Sequence, residues 1–189
     1  ERKIVFSGDV GNTDQPIIND PSSVDDTDYL VMESTYGSRN HERHTDTIDV
    51  LASYIERTLE RGGNVIIPSF AVGRTQELLY AIREIKQQKL VKDSSFPVYI
   101  DSPLAIEATK IFENCDIVNF DAETRMLIEK GVDPLYFENL HLAVTVDESK
   151  LINETPESKV IISASGMCEA GRIRHHLKHN LWRPQNLIL

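Results

Sequence analysis

Cysteine is scarce in this sequence, and it contains no long hydrophobic run. Two cysteines occur in 189 residues, and neither Cys115 nor Cys168 has a second cysteine at C-x-x-C spacing. That usage favours buried free thiols in a reducing compartment such as the cytoplasm over a structural disulfide. No apolar stretch approaches the roughly 20 residues that a membrane-spanning helix requires. The sequence therefore predicts a cytoplasmic protein with neither a disulfide framework nor a membrane segment.

Basic charge is also in short supply. Lys and Arg total 20 against 30 Asp and Glu, which gives a formal net charge of −10. Binding to nucleic acid depends on local Lys and Arg, so the distribution of charge matters more than its sum. The segment 170–189 contains no acid. We expect any contact with nucleic acid to use this segment.

The composition is that of a globular protein, with 40% hydrophobic and 26% charged residues. The length suits one compact domain, or one domain with a piece of another. Strand-like apolar runs lie almost at the first residue and at the last ones, 187–189. We therefore expect the chain to be a fragment.

Short strands and helices alternate along most of the sequence. Apolar runs predict strands at residues 4–6, 30–32, 64–67, 97–100 and 160–162. Apolar spacing and capping residues predict helices that start at Thr45, after Gly73, after Pro103 and at Asp121, with a last one over 170–182. This order predicts an α/β fold with a mainly parallel sheet flanked by helices.

Two acids follow directly after predicted strands. Glu33 follows the apolar run at 30–32, which is typical of a strand buried on both faces, and Asp9 follows the run at 4–6. In open α/β sheets, the edge where strands end gathers ligands and reacting groups. The spacing is equally compatible with a shared site and with two ordinary turns.

Several motifs, taken together, resemble the β-CASP group of metallo-β-lactamase-fold nucleases, which process RNA. They occur in the right order and span essentially the whole chain: Ser7-Gly8-Asp9, Glu-Ser-Thr-Tyr-Gly at 33–37, Pro-Ser-Phe-Ala-Val-Gly-Arg-Thr-Gln-Glu at 68–77, Tyr-Ile-Asp-Ser-Pro-Leu at 99–104 and Ser-Ala-Ser-Gly-Met-Cys-Glu-Ala-Gly-Arg at 163–172. The resemblance implies that residues 1–37 are the last strands of a metallo-β-lactamase core. Residues 38–189 would then be a β-CASP domain, truncated at its C-terminal end.

The resemblance also implies a function. The intact protein would be a zinc-dependent ribonuclease that hydrolyses RNA phosphodiester bonds with metal-activated water. This chain would bind RNA and cover the active site, and alone it would be inactive. RNA is the implied partner, with a homodimer or an RNA-processing complex as candidate assemblies.

In that family, Asp9 would bridge two Zn²⁺ ions, and Glu33 would orient a histidine that protonates the leaving group. The sequence departs from the family because it lacks the His-x-His-x-Asp-His motif and the later ligand histidines. One ligand cannot hold two zinc ions. The missing motif would lie upstream of Glu1 and the later histidines downstream of Leu189. Because some members of that family have lost metal ligands, a catalytically inactive RNA-binding scaffold is the alternative function, although the presence of Asp9 and Glu33 favours an active protein.

The candidate RNA contacts lie in three places. Arg74 would contact phosphate, or else pair with a nearby acid. Ser165 and Gly166 would form a phosphate cradle at a helix start, or else an ordinary turn. A basic stripe (Arg172, His175, His179, Arg183) would lie opposite the apolar face Ile173, Leu177, Leu181.

Two further interpretations are weaker. The pair His175 and His179 has the i, i+4 spacing of a zinc chelate, but no third ligand is evident and the flanking cations would repel a metal. Residues 65–75 resemble a degenerate phosphate-binding loop of a nucleotide-binding domain. Pro68 would replace its first glycine, and a proline has no N–H for the cradle.

Overall fold

The computed structural model describes residues 1–9, 11, 13–38 and 47–189. Six α-helices and seven strands follow one another in these ranges. In chain order they are β1 Ile4–Phe6, β2 Tyr29–Val31, α1 Thr47–Glu60, β3 Val65–Pro68, α2 Arg74–Gln87, β4 Val98–Ile100, α3 Pro103–Glu113, α4 Ala122–Glu129, β5 Leu140–Leu142, α5 Val146–Glu154, β6 Val160–Ser163, α6 Ile173–Asn180 and β7 Leu187–Ile188. The predicted start of the first helix, Thr45, lies outside the described residues.

Five strands form one sheet in the order β5-β4-β6-β3-β7, and every neighbouring pair is parallel. In the register of the central strands, Ile66 lies beside Ile161, and Ile162 lies beside Ile100. Because the strands are parallel, each of them ends at the same edge of the sheet. The predicted α/β fold with a mainly parallel sheet is confirmed.

Both faces of the sheet are buried under helices. Side chains of alternate strand residues point to opposite faces, and the buried apolar residues accordingly divide into two clusters. The larger cluster joins one face of the strands to α1, α2 and α3. The smaller one joins Ile66 and Ile161 to Ile152 of α5 and Ile173 of α6. The domain therefore has three layers, and this explains why its strands read as continuous apolar runs.

The helix starts are fixed by side chains that accept orphan backbone N–H groups. Ser102 accepts from Ala105 N at 3.2 Å, and Asp121 accepts from Thr124 N at 2.6 Å. Both observations match the predicted starts at Pro103 and Asp121. The sequence analysis missed β5 and α5, although Thr145 and Glu148 form a capping box there.

The strands β1 and β2 pair with each other in a separate parallel sheet. Their side chains are mostly exposed, with Phe6 at 73% and Leu30 at 57%. The prediction that the run at 30–32 is buried on both faces is wrong for this chain, since the described residues place no layer over that sheet. The division into segments 1–37 and 38–189 stays a prediction.

No helix in the described ranges is long and apolar enough to cross a membrane. The cytoplasmic location stays a prediction.

The central strand β6 should dominate stability. Ile161 is fully buried between two strands and under two helices, so Ile161→Ala should lower the free energy of unfolding by about 2–5 kcal/mol. Ile111→Ala is the matched control, because Ile111 is 66% exposed on α3. Urea denaturation of both variants measures the difference. Equal losses in the two variants would contradict this layer assignment.

Candidate functional site

The carboxyl edge of the five-stranded sheet is built around one buried carboxylate. Asp101 directly follows β4 and has no exposed surface. Its Oδ1 accepts from Arg172 Nη1 at 2.7 Å. Its Oδ2 accepts from Ser149 Oγ at 2.5 Å and lies 2.7 Å from His176 Nε2. Four segments of the chain therefore meet at Asp101: the end of β4, α5, the loop before α6, and α6 itself.

Arg172 extends these connections to a third strand. Its guanidinium also donates to the carbonyl oxygens of Ala143 at 2.9 Å and Val144 at 2.8 Å, which directly follow β5. The hydroxyl of Ser163, the last residue of β6, donates to the Asp101 carbonyl at 2.7 Å. Arg172 and Asp101 thus tie together the loops that leave β4, β5 and β6.

A relay of side-chain amides fixes which nitrogen of His176 carries a proton. The backbone N–H of Lys159 donates to Asn64 Oδ1 at 3.2 Å, so Asn64 Nδ2 donates to Asn180 Oδ1 at 3.0 Å. The Nδ2 group of Asn180 then donates to Asn153 Oδ1 at 3.2 Å. Asn153 Oδ1 is therefore an acceptor, and the proton between it and His176 Nδ1, 3.2 Å away, belongs to the histidine.

The other nitrogen of the His176 ring faces Asp101. Burial by itself would raise the pKa of Asp101, but hydrogen bonds from His176, Ser149 and Arg172 outweigh it and hold the pKa below its usual value. Asp101 is therefore ionised, and its Oδ2 faces His176 Nε2. The buried carboxylate is shared between the Arg172 guanidinium and the His176 ring, and hydrogen bonds reach all three groups.

The loop 164–172 crosses this edge and folds back on itself. Ser165 N donates to Ala170 O at 3.2 Å, and Cys168 N donates to Ser165 O at 3.1 Å. Gly171 has φ 78°, and a Cβ there would lie 2.3 Å from the Ala164 carbonyl oxygen, so only glycine fits. A Cβ at Gly166 would lie 3.2 Å from the ring of Phe70, which places that ring directly against the loop.

The structure agrees only in part with the predicted phosphate cradle at Ser165 and Gly166. Helix α6 begins at Ile173, so Ser165 and Gly166 do not lie at a helix start, and that part of the prediction is wrong. The Ser165 amide is also used within the loop. The amides of Gly166 and Met167, in contrast, donate to none of the described residues. RNA binding by Ser165 and Gly166 stays a prediction.

The expected basic stripe on α6 is wrong in part. Arg172 is turned inward onto Asp101 with 20% of its side chain exposed, because the buried carboxylate holds its guanidinium. His175 and His179 are exposed, as expected. The opposite face is not wholly apolar, since Leu181 lies beyond the helix and is 70% exposed. RNA contacts by Arg172, His175 and His179 stay a prediction.

Arg74 pairs with the local acid that the sequence analysis gave as its alternative role. Its Nη1 lies 2.8 Å from Glu77 Oε2, and its side chain is 64% exposed. The groove beside it has a volume of about 1330 Å³ and is lined by more acids than bases. Those acids weaken the case for a phosphate there, and an RNA contact by Arg74 stays a prediction.

Asp9 and Glu33 lie at the carboxyl edge of the β1–β2 sheet. The two strands are parallel and in register from Ile4 beside Tyr29 onward, so both acids follow the same sheet edge. Thr35 N donates to Glu33 Oε2 at 2.8 Å, and hydrogen bonds from Thr35 lower the pKa of Glu33. Glu33 is thus an ionised, exposed carboxylate. The catalytic roles of Asp9 and Glu33 stay predictions.

Zinc does not fit the described residues by themselves. Within the ranges that the structure covers, no three His, Cys, Asp or Glu side chains converge as a metal site requires. Asp9 remains a lone carboxylate there, and structural or catalytic zinc needs three or four ligands.

The sequence analysis missed the importance of Asp101, His176 and Ser149. A usable signal for Asp101 was present, because this acid directly follows the apolar run of a buried strand. No comparable signal marks His176, whose neighbour His175 is equally polar. Only the apolar spacing of Ile173 indicates that a residue three positions later faces inward.

Residues 75–189 match the family model of the Beta-Casp domain. The chain belongs to the Beta-Casp domain family.

Among its relatives, ribonuclease TTHA0252 of Thermus thermophilus is 35% identical over 100% of this chain and 42% of that protein. Transcription termination factor FttA of Methanosarcina mazei is 28% identical over 98% of this chain and 29% of its own length. Endoribonuclease YSH1 of Eremothecium gossypii is 27% identical over 99% of this chain and 24% of its own length. The chain thus spans less than half of the length of each of these relatives.

Removing Arg172 should destabilise the domain, because it leaves the buried Asp101 carboxylate without its guanidinium partner. Arg172→Ala should lower the free energy of unfolding by about 3–5 kcal/mol. Arg174→Ala, two residues further on and fully outside this cluster, should change it by no more than about 0.5 kcal/mol. Chemical denaturation measures the free energy of unfolding of both variants. A small decrease that is similar in the two would show that the Arg172 ion pair is dispensable.

The contribution of Asp101 should depend on pH. Its folded-state pKa lies below that of the unfolded chain, which is about 3.9. Its stabilisation is therefore complete above about pH 5 and is lost as the pH falls through the folded-state value. The stability deficit of Asp101→Asn relative to the natural protein should be large at neutral pH and should shrink in acid. Denaturation midpoints across this range test the sign, and a deficit that grows in acid would contradict it.

Proposed function

We propose that this chain is the RNA-binding part of a zinc-dependent ribonuclease that hydrolyses RNA phosphodiester bonds. Two of the relatives above are named ribonuclease or endoribonuclease. The observation that carries the proposal is the loop 164–172, which presents free amides at the carboxyl edge of a Beta-Casp sheet. Open α/β sheets bind their ligands at this edge.

The loop has the groups that a strand of RNA requires. The amides of Gly166 and Met167 would donate to phosphate oxygens, as backbone amides do in other anion sites. The exposed ring of Phe70 lies against Gly166 and would stack on a base. The buried pair of Asp101 and Arg172 would hold the loop in place, since Arg172 joins three strand ends.

The hydrolytic step would take place at the carboxyl edge of the separate two-stranded sheet, where Asp9 and Glu33 follow β1 and β2. Zinc, when bound, would supply an activated water as nucleophile. Asp9 would be one of its ligands, and Glu33 would orient a neighbouring group. Because the described residues do not complete a zinc site, zinc dependence is a proposal for the protein at its full natural length.

An inactive RNA-binding scaffold is the second candidate. It is supported by the same loop 164–172, which would bind RNA whether or not the protein cleaves it. Such a protein would bind RNA through the loop 164–172 and leave it intact. A cleavage assay separates the two functions.

The test is cleavage of end-labelled single-stranded RNA by the protein at its full natural length. The natural protein should cleave, and Asp9→Ala should abolish cleavage. Glu33→Gln should slow it by about 10- to 100-fold while the metal content is kept, as expected for a residue that orients its neighbour. Metal analysis accompanies each assay.

Glu60→Gln is the matched control, since Glu60 is an exposed acid at the far end of α1 and pairs with Lys92. It should leave cleavage unchanged. RNA binding without any cleavage by the natural protein would favour the scaffold. Loss of metal in the Glu33 variant would show that Glu33 is a ligand.

A further inference from the structure

An exposed tryptophan lies at the far end of α6, away from the carboxyl edge of the sheet. Trp182 follows the carboxyl end of this helix on the way into β7, and 70% of its surface is exposed. Because α6 runs back along the sheet for 8 residues, this point lies on the order of 12 Å from the start of the helix. Trp182 belongs neither to the loop 164–172 nor to the sheet edge that carries Asp9 and Glu33.

Trp182 forms the wall of a shallow depression. The depression has a volume of about 500 Å³, and one helix face lines most of it. Its lining is apolar and basic and consists of Arg174, Leu177, Lys178, Leu181 and Trp182. The guanidinium of Arg183 lies 5.1 Å from the centre of a Trp182 ring, so Arg183 adds a third cation beside Arg174 and Lys178.

Arg174 and Lys178 have no acidic partner among the described residues. Neither forms an ion pair there, and the sequence from 170 to 189 contains no Asp or Glu. The helix dipole favours Lys178, which lies in the last turn of α6, but it does not explain Arg174. Arg174 lies in the first turn of α6, where the helix dipole disfavours a cation, and the i, i+4 pair of like charges repels.

We propose that Arg174, Lys178, Trp182 and Arg183 form a second binding site for single-stranded RNA, in which the indole stacks on a base and the cations contact phosphates. The site rests on the proposed function, in that RNA is the ligand. A flat aromatic ring beside unpaired cations is the combination that single-stranded nucleic acid requires. An acidic protein surface is the other ligand that would match these charges, since tryptophan and arginine are also common at protein interfaces, and the test separates the two.

Trp182 is the single tryptophan of these 189 residues, so its fluorescence reports on the site, and the Trp182→Phe variant gives the background from any tryptophan elsewhere in the protein at its full natural length. Titration with a short oligoadenosine should quench its fluorescence in a saturable manner. Trp182→Ala should weaken the affinity for the same RNA by about 10-fold, and Trp182→Phe by less, since it keeps a ring. Circular dichroism confirms that the variants stay folded.

The cations are tested by the dependence of affinity on salt. Arg174→Ala and Lys178→Ala should each lower the slope of log affinity against log salt by about 0.7. Lys150→Ala is the control, because Lys150 is an exposed lysine on α5 that pairs with Asp147 at 3.1 Å. It should change neither the affinity nor the slope.

Three results would overturn the site. The first is an absence of quenching by the oligoadenosine. The second is binding of inorganic polyphosphate, which has charge without bases, as tightly as the oligoadenosine. The third is equal quenching by a polyglutamate peptide, which would indicate a protein-docking surface. The cleavage assay separates this inference from the proposed function. Cleavage without quenching removes the Trp182 site alone, whereas quenching without cleavage removes the nuclease and leaves the site.

Discussion

The structure depends on the burial of a single carboxylate. Asp101 lies at the end of a central strand with no exposed surface, where an unpaired charge would be very costly. Arg172 compensates the charge and His176 lies within hydrogen-bond distance of the carboxylate, and both residues come from the chain that follows β6. The fold is thereby closed at one point: strands β4, β5 and β6 cannot exchange neighbours or shift register without separating a buried ion pair.

A consequence of this closure is that the carboxyl edge has two levels. Below lie the buried polar groups, which are fully hydrogen bonded and therefore hold one geometry. Above them, exposed apolar side chains follow four of the strands: Phe70 and Val72 after β3, Leu104 after β4, Val144 and Val146 after β5, and Met167 after β6. Side chains this exposed add little to the core, so the carboxyl edge has an apolar outer level above a rigid polar one.

The sequence predicted the regular elements better than the interactions among them. Strands β3, β4 and β6 are apolar runs because both of their faces are covered, and their pattern alone identified them. Strand β5 was missed because it lies at the sheet edge, where a three-residue strand with a central histidine has little pattern. The role of Arg172 could not be predicted. Helical spacing predicts which way a side chain points, but it does not predict which residue the side chain contacts, and Asp101 lies 71 positions earlier in the sequence.

The same limit applies to charge. A net charge of −10 indicates nothing about which cations are available to a ligand. Arg172 and Arg174 are two residues apart. Arg172 forms an ion pair with Asp101, whereas Arg174 is exposed and has no ion-pair partner among the described residues. Roughly 100° per residue separates them around the helix, so two positions turn a side chain from one side of α6 to the other. An acidic chain can therefore keep a basic surface, provided that its acids lie elsewhere and its buried carboxylate takes only the cations that face it.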